Sequence, residues 1–265
     1  MAEQPEPSLP VLHVIPFSHF NEKAMWVLDL KGIPYHLCPL VDPSDRSEIK
    51  RVTAGRSFTT PVLRTAEDVL TDSTEIALWA ERERPQPPLL PTDPALRSEC
   101  LFLEDWADEV VGPHARRWLF GQLMFQDPAR GKAFFLATRP AWQRPLLWPL
   151  AKRFLGRALH ITPTTVRGSE QALRRALTLL DERLEGRTFL VGARLSLADV
   201  AVAALLGPLT MTGDWTRSHP RTFAWRRELL ETCGRRPSLT DAIPEAEERA
   251  RRGAAARERL EATAS

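Results

Sequence analysis

Val11-Leu12-His13-Val14-Ile15-Pro16-Phe17-Ser18-His19-Phe20-Asn21-Glu22-Lys23 decides the fold. A β-branched run that ends on a proline reads as a strand. Ser18 follows it, and Phe20, Ala24, Val27 and Leu28 then recur at helical spacing up to Lys31, where Gly32 stops the helix. Working outward, Tyr35–Leu40 reads as a second strand and residues 43–54 as a short, polar, irregular helix. Pro61-Val62-Leu63 and Val69-Leu70 flank the polar turn Thr65–Asp68, which predicts a hairpin. Asp72-Ser73-Thr74-Glu75 then opens a helix running to about Arg84. The order β-α-β-α-β-β-α over residues 11–84 predicts an α/β layer domain.

Residues 85–94 carry five prolines in ten, which no helix or inner strand survives, so the domain linker is expected there. Beyond it strand signals are scarce. Leu96, Cys100, Leu103, Ala107, Val110 and Val111 make one helical stripe, and Leu173, Ala176, Leu177, Leu180 and Leu184 make another. Ser196 to about Leu206 is apolar past its first turn and is expected to be buried. Residues 219–234 give a further helix, and residues 95–240 are expected to form an all-helical domain. Residues 1–10 read as a flexible arm, and residues 241–265, where Glu and Arg alternate among alanines, as a charged helical or frayed tail.

The 265 residues include 36 basic and 34 acidic side chains, a balance that argues against a nucleic-acid partner. Cys38, Cys100 and Cys233 have no metal-like spacing and no CxxC, so no metal and no disulfide framework is expected, and a reducing cytoplasm fits. The N-terminus lacks a basic region followed by an apolar one, so no signal peptide is expected. No run of 18 apolar residues predicts a membrane span.

Four motifs carry chemistry or shape. Ser18 is placed to cap the first helix; alternatively its hydroxyl and the helix N-terminus face a bound thiolate, where both lower a thiol pKa. Thr60-Pro61 is where a cis bond is expected, which would leave the preceding backbone free to pair with a peptide ligand. Asp72-Ser73 starts a helix either as a capping box with Glu75 or as an anion and ammonium site, with Ser73 for a carboxylate and Asp72 for an amino group. Ser196 and Asp199 form a structural capping box in the buried helix.

In this order and spacing the four motifs resemble the glutathione transferase superfamily, over roughly residues 11–115 and 165–240, and the stretch Lys23–Tyr35 is similar to bacterial members. The resemblance implies a thioredoxin-like front half, an all-helical back half, and glutathione as co-substrate without a metal. It also implies attack of the glutathione thiolate on a small apolar electrophile, detoxification as a role, and a homodimer of front half against back half. Carried over residue by residue, Ser18 would stabilise the thiolate with Asn21 assisting through its amide. Phe20, Thr60, Pro61, Asp72 and Ser73 would bind glutathione, and Trp106, Val110 and His114 would line the electrophile pocket. A glutathione-dependent isomerase and a non-catalytic binding or assembly module share these features and stay open.

This chain departs from the pattern in three places. His19 replaces the usual proline of the turn and is expected at the surface of the first turn. Asn21 stands where relatives with dithiol chemistry have a second cysteine, which excludes that chemistry. The segment from about residue 118 to 165 is long, aromatic and basic, without an acidic residue between Asp127 and Glu170. It reads as extra helices covering the electrophile cleft. A membrane-surface or partner-docking face is the alternative, and Pro140, Pro145 and Pro149 count against a membrane helix by breaking the segment into short pieces.

Overall fold

The computed structural model describes residues 9–15, 17–40, 46–136 and 139–235. Most of the expected N-terminal arm, the start of the expected second helix and the charged tail over 241–265 lie outside the described residues. The first half reads β1 (Val11–Val14), α1 (His19–Lys31), β2 (His36–Pro39), α2 (Arg46–Val52), β3 (Val62–Arg64), β4 (Val69–Leu70) and α3 (Ser73–Glu83). The order expected from the sequence is therefore observed. The sheet runs β2-β1-β3-β4, with β2 parallel to β1 and β3 antiparallel to both β1 and β4. Strand alternation divides the core. Leu12, Val14 and Leu63 face α1 and α3, while Val62 packs on the other side with Leu40 and Ile49 of the α2 layer. Gly32 ends α1 in the left-handed region at φ 61°, which a residue without Cβ adopts at no cost.

The second half is helical: α4 (Pro94–Trp106), α5 (Gly112–Gly121), α6 (Pro128–Phe135), α7 (Arg144–Ala158), α8 (Pro163–Arg183), α9 (Leu197–Leu205), the single turn α10 (Trp215–Ser218) and α11 (Pro220–Thr232). Wide π-type turns at 107–111 and 122–126 carry the chain from α4 into α5 and on past it. α9 is buried along its whole length at the centre of this half. The glycine at 112 lets α5 approach closely: a Cβ there would lie 2.7 Å from Phe20 Cζ and 3.3 Å from Leu205 Cδ2.

One expectation fails here. α7 is a single helix of 15 residues, not a set of proline-broken fragments. Pro145 sits in the first turn, where no intrahelical donor is required. Pro149 lies inside the helix and forfeits one bond to the Pro145 carbonyl, at an exposed position where water can satisfy it.

The stretch between α3 and α4 is tied down from both sides. Lys31, fully buried, pairs with Glu81 and donates to the Pro87 carbonyl at 2.6 Å, while Glu81 accepts from the Leu89 amide at 3.2 Å. The Leu197 amide, opening α9, donates to the Leu89 carbonyl at 2.7 Å. The capping box expected at Ser196 and Asp199 is present, and its carboxylate does more than cap. Asp199 accepts from the Ser196 amide (2.9 Å), the Ser196 hydroxyl (2.6 Å) and the Leu190 amide (2.7 Å), so it also fixes the loop entering α9. Complete burial pushes its carboxyl up from 3.8 to about 6, against those hydrogen bonds.

Asp199→Ala strands three buried donors and is expected to cost on the order of 3 kcal/mol or more in urea unfolding. The raised carboxyl binds its proton more tightly in the folded state. Stability from this group is therefore fully present below about pH 4 and is lost as the pH rises to about 6. Relative to Asp199→Asn, the wild type is expected to lose stability across that window; a flat difference from pH 4 to 7 would refute the assignment.

Candidate functional site

Ser18 holds the N-cap position of α1 with extended backbone (φ −85°, ψ 118°), yet its side chain makes no cap hydrogen bond. The expected capping role is thus not performed by the hydroxyl, which stays half-exposed at the positive end of a 13-residue helix. Asn21, one turn on, is buried, and its amide nitrogen donates to the Ile15 carbonyl at 2.7 Å and to Thr60 Oγ1 at 3.1 Å. Both amide hydrogens are thereby used, which corrects the expectation that Asn21 assists a thiolate. It is a bracket that fixes the β1–α1 turn to the loop before β3. The Ile15 amide completes that bracket by donating to Thr60 Oγ1 at 3.2 Å. The Thr60–Pro61 peptide is cis, and β3 pairing begins only at Val62, so Thr60 lies beside the Ser18 turn and outside the sheet ladder.

At the start of α3, Asp72 caps the helix by accepting from the Thr74 (2.8 Å) and Glu75 (3.2 Å) amides. Glu75 accepts from the Thr71 amide (3.2 Å), one residue beyond Asp72 itself. Asp72 thus performs the structural task, with its second oxygen uncommitted by these bonds. Ser73 is 1% exposed, and its hydroxyl has no hydrogen-bond partner. A buried hydroxyl without a partner is uncommon, because leaving it unpaired costs more than a typical hydrogen bond returns.

Next to it stands a cluster not anticipated from the sequence. Lys23 of α1 is fully buried and pairs with Glu104 of α4 and with Asp108 (2.6 Å) in the wide turn that follows. Thr74 accepts from Lys23 at 3.0 Å and donates toward Glu104 (2.7 Å) and Asp108 (2.9 Å). Burial raises the Asp108 carboxyl, opposed by Lys23, and the second Asp108 oxygen is buried without a partner. One lysine therefore joins α1, the start of α3 and the helical half.

The remaining wall is aromatic. Phe17, preceding Ser18, meets Phe134 of α6 at 5.0 Å, and Phe134 and Phe135 pack edge-on with Phe120 of α5. The expected pocket residues did not include these rings, although Phe120, Phe134 and Phe135 belong to the 118–165 segment expected to cover the cleft; Phe17 carried no such signal. Phe20, expected to bind glutathione, instead turns its ring to α5. There it meets His19 at 4.6 Å and the Arg116 guanidinium at 5.8 Å, so its side chain serves the interdomain contact.

His19 is not at the surface. It is 3% exposed and its Nε2 is 3.0 Å from the Gly112 carbonyl. Burial, helped by Arg116, holds its pKa at about 3, so it is neutral near pH 7. His114, expected in the electrophile pocket, is engaged elsewhere: its Nδ1 lies 3.0 Å from Ser169 Oγ on α8. Trp106 and Val110 are half-buried along the α4 run, Trp106 against the core. Among the described residues no cluster of His, Cys, Asp and Glu could hold a metal ion.

Lys23→Ala leaves two buried carboxylates without their cation. It is expected to destabilise the protein by about 3–5 kcal/mol in urea unfolding, and a loss under about 1 kcal/mol would mean the cluster is not a tie between the halves.

The site can be set beside known proteins. A model of the glutathione S-transferase N-terminal domain matches residues 12–88, and one of the glutathione S-transferase C-terminal domain matches residues 163–228. FtsZ-localized protein A from Caulobacter vibrioides is 28% identical over 178 residues, 66% of this chain and 66% of that protein. The chain thus matches just under two thirds of the length of that curated relative. Among solved structures, FzlA from C. crescentus has a TM-score of 0.65 at 21% identity, covering 90% of this chain and 95% of that one. A glutathione S-transferase from Methylobacterium radiotolerans in complex with glutathione sulfonate has a TM-score of 0.63 at 21% identity, covering 89% and 95%. At these identities the structures speak for the fold, and with both family models they lead to one conclusion: the chain belongs to the glutathione S-transferase superfamily.

Proposed function

We propose that this protein binds glutathione and activates its thiol for attack on an aromatic electrophile. The observation that carries the reading is the Ser73 hydroxyl, buried and unpartnered at the start of α3. A γ-glutamyl carboxylate there would take that hydroxyl's hydrogen bond and that of the Ser73 amide, which the Asp72 cap does not use. The Thr60 backbone would pair with the cysteinyl residue, which brings the sulfur to the Ser18 hydroxyl at the N-terminus of α1. A donor and a helix dipole together favour the thiolate. The thiolate sulfur then bonds to the electrophilic carbon, and the leaving group departs with its electron pair. The protein supplies position and electrostatics.

The second substrate would meet Phe17 and Phe134. Arg116 stands close by over the Phe20 ring; burial and Arg117 lower its pKa, and among the described residues it has no carboxylate partner. An aromatic electrophile bearing an anionic group suits such a wall.

A second reading is favoured by the curated relative whose name places it with FtsZ: a glutathione transferase-like module that binds an assembly partner with little turnover. Either reading accommodates a cytoplasmic homodimer, for which Phe58 in the front half and Phe102 on α4, 60% and 67% exposed, are the contacts we propose.

Titration calorimetry with glutathione separates these readings. Wild-type protein is expected to bind in the micromolar to low-millimolar range that about 4–8 kcal/mol represents, and Ser73→Ala to lose about tenfold or more. No binding by the wild type would remove the enzyme reading. Conjugation of 1-chloro-2,4-dinitrobenzene is expected to fall at least about a hundredfold in Ser18→Ala, since a lost donor to a developing anion costs that much. Binding without turnover would favour the module. Sedimentation equilibrium is expected to show a dimer that Phe102→Ser dissociates; an unchanged mass would place the interface elsewhere.

A further inference from the structure

The surface of α7 offers something the glutathione site does not use. Its inner face seats the helix: Trp148 is buried and stacks on Phe135 with centroids 6.1 Å apart, and Lys152 lies 4.8 Å over the Phe125 ring. Trp142, just before the helix, and Leu146, Leu150 and Phe154 along it follow one another at intervals of four. They are 57% to 73% exposed. Intervals of four residues keep side chains on one helix face, so Leu146, Leu150 and Phe154 make one stripe, about 12 Å long at 1.5 Å per residue, with the exposed Trp142 in the turn just before it. Arg153 and Arg157 are exposed and at 100° per residue fall on the same face, about 20° to either side of the Leu146 direction. Scattered surface apolar residues need no explanation, but three large ones in a row on one helix, with an exposed tryptophan just before it, do.

Charge narrows the occupant. Residues 128–169 hold Arg130, Lys132, Arg139, Arg144, Lys152, Arg153, Arg157 and Arg167, and no acidic residue. A protein partner that fills a groove would find no groove on the outer side of a single helix. Large apolar side chains exposed to this degree are suited to insertion. Their mixture of Trp, Leu and Phe with arginines on one face is the composition of a helix lying in a lipid interface.

The geometry points to α7 as a peripheral membrane contact selective for anionic lipid. The helix lies in the plane of the bilayer. Trp142, Leu146, Leu150 and Phe154 reach the acyl boundary while Arg153 and Arg157 meet headgroup phosphates. No helix among the described residues is long and apolar enough to cross a membrane, so the contact is one of lying on the surface. This inference is independent of whether glutathione is bound or turned over.

Vesicle co-sedimentation of the full chain tests it. Vesicles of phosphatidylcholine with about a quarter phosphatidylglycerol, a surface charge that attracts basic segments, are expected to carry the protein down, and pure phosphatidylcholine vesicles are not. Leu146→Ser with Leu150→Ser is expected to weaken binding by about tenfold or more, by removing buried apolar area. Arg153→Gln with Arg157→Gln is expected to weaken it about fivefold per arginine and to flatten its salt dependence. All four positions are exposed, so the variants are expected to fold as the wild type does. Absence of binding to anionic vesicles overturns the inference. So does equal binding by the leucine variant, or a wild-type dimer that the leucine variant turns into a monomer, which would assign the stripe to a second copy of the chain.

Discussion

A single buried ammonium holds this molecule's halves in register. Lys23 projects from the second turn of α1 and is met by Glu104 and Asp108 from the helical half and by Thr74 from the first turn of α3. Taking one cation and two carboxylates out of water is expensive, and the cost is recovered only when every partner is in place. The cluster therefore favours one relative position of sheet, α3 and α4. That position sets the Ser73 hydroxyl beside the interface and, through α1, the Ser18 turn. The Lys31–Glu81 pair on the far end of α1 makes a second tie to the stretch between α3 and α4. At the C-terminal end of the described chain, Arg235 pairs with Glu22 and Asp29 of the same helix and lies over Trp26. α1 is consequently anchored by charges at three places, two of them fully buried.

With α1 fixed, the site follows from two helix starts that differ in how their donors are satisfied. At α3 the aspartate caps and leaves the neighbouring serine hydroxyl unpaired. At α1 the serine occupies the cap position but does not cap. Each helix therefore begins with a serine hydroxyl that its own cap does not use. Around them the neutral His19, the ring of Phe20 and Gly112 close the interdomain contact, while Phe17 and the α5–α6 aromatics extend it outward.

Much of the front half was legible in the sequence because its signals are local. Strand alternation in Val11–Val14, the helical stripe that ends at Gly32, and the turn between Val62 and Val69 each act through neighbours in the chain. The capping box at Asp199 was legible for the same reason. Asn21 was misread because its identity suggested a donor for a ligand, while its actual partners, Ile15 and Thr60, include a residue 39 positions away. His19 was misread because a polar residue in a first turn is usually solvated, and only the approach of α5 at Gly112 buries it. α7 was misread because prolines in a sequence count as helix breaks unless their positions in the turn are known.

The sequence by itself determined the order of elements, the two helix starts that carry Ser18 and Ser73, the cis-prone Thr60–Pro61 and the excess of basic charge over 128–169. These are properties of short windows, set by backbone preference and spacing. Only the tertiary structure decided which of those side chains are free and which are spent, because that depends on partners distant in the chain. It converted Asn21 into a bracket, left Ser73 buried without a partner, collected Lys23, Glu104 and Asp108 into one ion cluster, and turned one face of α7 outward. Burial is the physical reason: it is the packing of the two halves that fixes the energy of each polar group, and no local window contains both.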